Sequence, residues 1–435
     1  MENKFLILPG CDDRNRGDQA LIWETIALAQ AAGYKGKFLM LANHDGSRQS
    51  QKAGIGNVHM ILEHPSTKFR KLDNEKYTWK LKLKWGIVAI WDIFTKEPLT
   101  HSWTRNLLKK LYKKTVQYSL KDFGDAGACF VKGGGFLHAY GGLSETYKIY
   151  YFLYHIRLAL SLGKTVYILP NSFGPFKSPF VKRMMNKTLS KCKVVMAREK
   201  ISQEQLKKEC LVDSLLFTDI AFHLEPDKSF DANRKLIEQG IPIGEKKCIA
   251  ITARPYRFTG YANSDLLYQN YKESLVHSVE WLSDNDFFPV FIEHVYDEKS
   301  HENDMTCISE LIKNLKKECQ YAVFSNRELT CTQMKKIYGE FDYIIGTRFH
   351  SIIFSLALGV PAIAITYGGN KGVGIMKDLG LGRYSISIDS VTGEEIIKKF
   401  CDLTLNCEKN KQQIKACLQL LEKEKQEIVQ LLREE

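Results

Sequence analysis

Residues 341–381, FDYIIGTRFHSIIFSLALGVPAIAITYGGNKGVGIMKDLGL, place Arg348 and His350 just after one apolar run and Lys371 in a glycine-rich stretch after a second. Short apolar runs closed by glycine or polar residues predict buried strands, and the stretch Ser351–Leu358 predicts a short helix. All three side chains then sit on loops or helix starts at the C-terminal ends of strands. A histidine near a helix start lies among unpaired N–H groups that attract anions. The positive end of the helix favours loss of the imidazole proton, and a neighbouring phosphate favours its retention. Such a balance suits a general acid that works on a phosphorylated substrate.

Further cations stand at comparable positions: Arg198 in AREKIS and Arg254 on the loop after CIAITA. Arginine's planar fork binds phosphate and carboxylate groups bidentately, although each of these residues could also serve as an ordinary surface charge. Near the N-terminus, NRGDQA offers Asn15, Gly17 and Asp18, which either let the backbone approach a ligand or merely cap the first helix. KGGGFL supplies Gly134 and Gly135; no Gly-Lys-Ser/Thr follows, which disfavours a phosphate loop for ATP hydrolysis. Of the other ten histidines, His138 just past those glycines is the second candidate participant. No clustered set of metal ligands stands out, so no metal is expected.

The elements that must carry these residues alternate. A strand at Phe5–Leu8 leads through PGCDDRNRGD to a helix from Ala20 to Ala31, and a second strand, KFLMLA, ends near Ala42. Past an interruption, the rhythm resumes with a strand at Ala128–Val131, a glycine turn, a helix at Leu143–Leu162, the strand TVYILP and the loop NSFGPF. A helix at Pro179–Ser190 and the strand VVMAR follow. A polar linker near Glu225–Lys228 precedes a second series: CIAITA, FPVFIEH, YAVFS, FDYIIG and PAIAITY. Strands alternating with helices imply parallel β-α-β units, hence an α/β protein with two Rossmann-like lobes facing across a cleft in a GT-B-like arrangement. The boundaries expected are residues 1–225, with a basic aromatic insertion at about 64–122, residues 226–405 with the donor site, and an amphipathic C-terminal helix at 406–435.

With 435 residues, 44% hydrophobic and 26% charged, the composition is that of a globular protein with ample core. Eleven dispersed cysteines and a start without a signal-peptide pattern predict a cytoplasmic location. The net charge is +12, and much of it is local. Between residues 68 and 114, thirteen basic residues face four acidic ones, a surplus of nine. That segment mixes lysines with Trp79, Trp85, Trp91 and Phe94, which suits either peripheral contact with an anionic membrane surface or a helical hairpin packing its own aromatics.

In its motifs the chain resembles the polysaccharide pyruvyl transferases. The arginine-x-histidine pair at Arg348 and His350, Gly359–Pro361, and Tyr367 with Lys371 are similar to that family's pattern. So, in order, are NRGDQA, KGGGFL, NSFGPF and AREKIS, although Asn171 stands where glutamine is more usual. The resemblance spans residues 5–385. It implies that phosphoenolpyruvate is the donor substrate, that no metal or redox cofactor is needed, and that the enolpyruvyl unit moves to two hydroxyls of a sugar, forming a cyclic ketal in exopolysaccharide, capsule or cell-wall glycan synthesis. It further implies His350 as the catalytic acid and Asn15, Gly17, Asp18, Gly134, Gly135, Arg198, Arg254, Arg348 and Lys371 as substrate-binding residues. The acceptor expected is a free, nucleotide-linked or lipid-linked sugar, and nucleic acid is not an expected partner. A GT-B-type glycosyltransferase using a nucleotide sugar is the alternative that the fold expectation leaves open.

Overall fold

The computed structural model describes residues 3–10, 12–42, 46–65, 79–296, 302–367 and 371–433, with only the backbone of Lys371. The chain divides into two compact units, residues 1–13, 21–220 and 426–435 in the first, and residues 14–20 and 221–425 in the second.

In the first unit, β1 (Lys4–Leu8), β2 (Lys37–Leu41), β3 (Gly56–Val58), β4 (Ala126–Val131), β5 (Gly134–Ala139), β6 (Thr165–Phe176), β7 (Val194–Ala197) and β8 (Leu215–Leu216) form a parallel sheet. Its order is β3-β2-β1-β4-β6-β7-β8, with β5 paired to β6. The central strands are unbroken apolar runs, as expected where helices cover both faces. Leu6, Leu39, Val131 and Ile168 sit in one core with Leu153 and Tyr154 of the crossover helix Leu143–Ser161.

The second unit repeats the plan with β9 (Lys247–Thr252), β10 (Phe287–Ile292), β11 (Ala322–Phe324), β12 (Tyr343–Gly346), β13 (Ala362–Thr366) and β14 (Ser385–Ser387). Their order, β11-β10-β9-β12-β13-β14, is the doubly wound Rossmann order, in which direction reverses between β9 and β12. Thr252 pairs with Gly346 across that reversal, and the Thr347 N–H donates to the Thr252 carbonyl at 2.9 Å. Both units are thus α/β with Rossmann-like parallel sheets.

Several sequence expectations shift. The helix expected from Ala20 starts at Arg16 (α1, Arg16–Ala31), because the Asn15 Oδ1 accepts from the N–H groups of Gly17 and Asp18 and caps it. NSFGPF is not a loop: β6 continues to Phe176, its second half pairing with β5. Correspondingly, the three glycines lead into a strand before any helix begins. The final helix spans Cys407–Leu432.

Asn15, Gly17 and Asp18 were expected in the N-terminal lobe, yet residues 14–20 pack with the second unit. Asn15 forms an antiparallel bridge with Val295, and the Tyr296 N–H donates to the Arg14 carbonyl at 3.2 Å. Buried Arg16 lies over the Tyr296 ring, 4.7 Å from its centroid, and donates to the Arg327 carbonyl at 2.8 Å. Local sequence carries no sign of these pairings.

Candidate active site

The switch point of the second sheet gathers Arg254, Arg348 and His350, all just past the ends of β9 and β12. Ligands of open α/β sheets bind at such a point. The helix that follows β12 is α2 (Phe349–Leu356), with Arg348 as its N-cap, so His350 lies inside the first turn where a start at Ser351 was expected. The Ser351 Oγ donates to the Arg348 carbonyl at 2.6 Å and pairs with the Thr252 Oγ1 at 2.9 Å, tying the helix start to β9.

Across from this turn lies the first turn of α1. A β-carbon placed on Gly17 would be 2.1 Å from the His350 Nδ1 and 2.4 Å from its Cγ. No side chain larger than hydrogen fits there without moving the imidazole. Asn15 and Asp18 are close in sequence but serve the helix end: the Asn15 Nδ2 donates to the Asp18 Oδ2 at 2.9 Å.

Arg348 is 6% exposed and held on several sides. Its Nε donates to the Asp304 Oδ1 at 2.8 Å, and its Nη1 donates to the Glu302 Oε2 at 2.7 Å. Arg254 grips the same Glu302, its Nη2 lying 2.6 Å from both carboxylate oxygens. The Arg254 guanidinium also stacks over Tyr367, 4.3 Å from the ring centroid. Two arginines therefore share one carboxylate, a geometry that an anionic ligand group could equally satisfy.

Asp304 is fully buried; its Oδ2 accepts from the N–H groups of His294 and Val295 at 3.0 and 2.9 Å. Burial pushes its carboxyl up to about 6 against the downward pull of Arg348 and those N–H groups. Burial works against the charge on Arg348, but the carboxylates of Asp304 and Glu302 outweigh it and hold the guanidinium ionised. His294 is buried and kept neutral, first by desolvation and then by the charges of His350, Arg348 and Arg16. Its Nδ1 meets the Tyr338 hydroxyl at 3.1 Å.

Lys371 opens the helix Lys371–Asp378, just after β13, but its side chain lies outside the described residues. Arg198, Gly134 and Gly135 belong to the first unit. Arg198 is 4% exposed, paired with Asp219, and donates from Nε to the Ser172 Oγ at 2.7 Å, so its fork is engaged internally. Gly134, at φ +148°, opens β5 beside Asn171, whose Nδ2 donates to the carbonyls of Lys132 and Leu169. His138 pairs with Lys148 at 3.1 Å. Glu302, Asp304 and His294 carry no motif; only an acidic pair two residues apart before a helix could have drawn notice to the first two. Among the described residues no cluster of His, Cys, Asp and Glu could hold a metal ion.

A family model described as polysaccharide pyruvyl transferase matches residues 15–369. The chain belongs to this family. Amylovoran biosynthesis protein AmsJ of Erwinia amylovora is 26% identical over 291 residues, covering 65% of this chain and 66% of that protein. The chain thus spans just under two thirds of that relative's length. Among solved structures, a putative UDP-N-acetylglucosamine 2-epimerase from Listeria monocytogenes has a TM-score of 0.54 at 10% identity, covering 95% of this chain and 91% of that one. Anabaena Alr3699/HepE in complex with UDP-glucose also has a TM-score of 0.54 at 10% identity, covering 99% of this chain and 98% of that one. These likenesses concern fold alone, and they agree with the GT-B-like architecture expected from the sequence.

Proposed function

We propose that the protein transfers the enolpyruvyl unit of phosphoenolpyruvate to two hydroxyls of a sugar, closing a cyclic pyruvate ketal in the synthesis of an extracellular polysaccharide. The observation that carries this reading is His350, packed against Gly17 in the first turn of α2 beside the Arg348–Glu302–Arg254 cluster. The family assignment and the amylovoran-biosynthesis relative support the class of reaction and its polysaccharide setting.

In this mechanism His350 gives a proton to C3 of the enol, and positive charge develops at C2. One sugar hydroxyl forms the first C2–O bond and loses its proton. The C2–O bond to phosphate breaks, and a second hydroxyl adds at C2 to close the ring, releasing the second proton. The donor's carboxylate displaces the Glu302 side chain between Arg254 and Arg348, and Lys371 with the N–H groups of the first turn of α2 receives the phosphate. Asp304 is a positioning residue, orienting Arg348 through its Nε. The protein's contribution is proton delivery and charge placement.

The test supplies phosphoenolpyruvate with a panel of lipid-linked and nucleotide-linked hexoses. Phosphate release should accompany a sugar product heavier by one pyruvate less one water. Because HepE, which shares the fold, holds UDP-glucose, the second reading is glycosyl transfer from a nucleotide sugar. That reading predicts thermal stabilisation by nucleotide sugars but not by phosphoenolpyruvate.

A further inference from the structure

The insertion in the first unit packs Trp85 inward but leaves Trp79, Trp91, Phe94 and Trp103 exposed, unlike a closed hairpin. Of it, residues 66–78, including Lys68, Arg70, Lys71 and Lys76, lie outside the described residues. The rest begins with a helix, Trp79–Lys96, followed by a shorter one, Ser102–Leu108. On the first, Leu83, Ile87, Ile90, Trp91 and Phe94 are 57–75% exposed. Their spacing of four, three, one and three residues places them on one face. Trp103, Leu107 and Leu111 continue the pattern at intervals of four and are 65–80% exposed.

Own-core packing does not account for these residues. The helix turns inward through Trp85, edge-on to His64, and through Ile93 against the core. Even that side is incompletely filled, because Trp85, Ala89 and Ile93 wall a cavity of about 1260 Å³. With Trp79, nine large exposed apolar side chains in one segment exceed the scatter of single exposed residues found on ordinary surfaces.

Charge on this surface has one sign. Between residues 79 and 114 the exposed charged side chains are Lys80, Lys82, Lys84, Lys109, Lys110, Lys113 and Lys114. The two acidic residues turn inward: Asp92 is 3% exposed, and Glu97 accepts from Arg157 and from the Tyr150 hydroxyl. A second copy of the chain would set lysines against lysines. An anionic lipid surface instead offers hydrocarbon for the aromatic face and phosphate for the ammonium groups. Among the described residues no helix is long and apolar enough to cross a membrane.

We propose that the outer faces of helices Trp79–Lys96 and Ser102–Leu108, with their flanking lysines, dock the protein on an anionic lipid bilayer. The face lies in the first unit, and its function does not depend on the donor chemistry assigned to the second. Docking would hold the enzyme where membrane-borne acceptors are presented.

The experiment is sedimentation of the full chain with vesicles of phosphatidylglycerol and phosphatidylcholine, compared with phosphatidylcholine alone, at low and high salt. The protein should co-sediment with the anionic vesicles and be released by salt. Binding should weaken roughly fivefold per lysine removed in K80Q, K84Q, K109Q and K110Q combined. The double variant Trp91→Ser, Phe94→Ser should weaken it at least tenfold; both residues are so exposed that folding, checked by circular dichroism, should persist. Failure to sediment with anionic vesicles, or equal binding by the folded variants, would overturn the proposal. So would concentration-dependent self-association that the variants abolish without any vesicle binding, which would make a second copy the occupant.

Discussion

Gly17 and His350 lie so close that a methyl group on the first would overlap the imidazole of the second, with a β-carbon 2.1 Å from Nδ1. The first turn of α1 therefore acts as a wall that fixes the ring's position above the switch point of the second sheet. Gly17→Ala should shift the imidazole and lower kcat roughly tenfold to a hundredfold while the fold survives, because misplacing a reacting group by about 1 Å costs that much. Steady-state kinetics with a parallel melting curve checks this. Unchanged kcat would mean that the ring's position is not critical.

Glu302 occupies the space between Arg254 and Arg348 that the donor's carboxylate is proposed to take. Removing it in Glu302→Ala should lower KM for phosphoenolpyruvate severalfold, since the donor would no longer compete with an internal anion. A raised KM would show instead that Glu302 holds the two arginines in place for the donor.

Lys335 is 1% exposed, and its ammonium donates to the carbonyls of Ala221, Phe222 and Leu224 at 3.2, 2.9 and 2.6 Å. It thus fastens the chain at the opening of the second unit to the helix Cys331–Tyr338. Lys335→Met would leave these carbonyls without their charged donor, and it should cost roughly 3 kcal/mol of stability in urea denaturation. A loss below about 1 kcal/mol would contradict this role.

His155, in the first unit, is buried with its Nε2 accepting from the N–H groups of Ile61 and Leu62 at 3.2 and 3.4 Å. Burial lowers its pKa from 6.5 to about 3. As pH falls, the unfolded chain takes up the proton first, so stability is complete above 6.5 and drains away between 6.5 and about 3. Between pH 7 and pH 5 the loss from this residue should be about 2 kcal/mol. His155→Gln keeps an acceptor without titrating, and that part of the pH dependence should vanish from its denaturation curves.

What the sequence made legible follows from periodicity and turn chemistry. β9, β12 and β13 are short apolar runs with sharp ends, so Arg254, Arg348 and Lys371 could be set at strand ends from the sequence alone. Asn171–Phe176 looked like a loop because Gly174 and Pro175 break the apolar pattern, yet β5 pairs alongside and keeps it extended. The Gly17–His350 approach and the clasp of Glu302 and Asp304 on Arg348 join residues distant in the chain. Such contacts follow from packing, and no local pattern announces them. The aromatic-basic insertion was visible by composition, but the face its aromatics take depended on the structure.

The most direct test of the central claim is the comparison of phosphoenolpyruvate binding with product formation in His350→Ala. Calorimetry should give a donor affinity within a few-fold of the unaltered protein, while pyruvylated sugar and released phosphate fall by at least a hundredfold. Arg348→Ala, in contrast, should weaken donor binding as well. Full turnover by the His350→Ala protein would contradict the assignment of His350 as the proton donor.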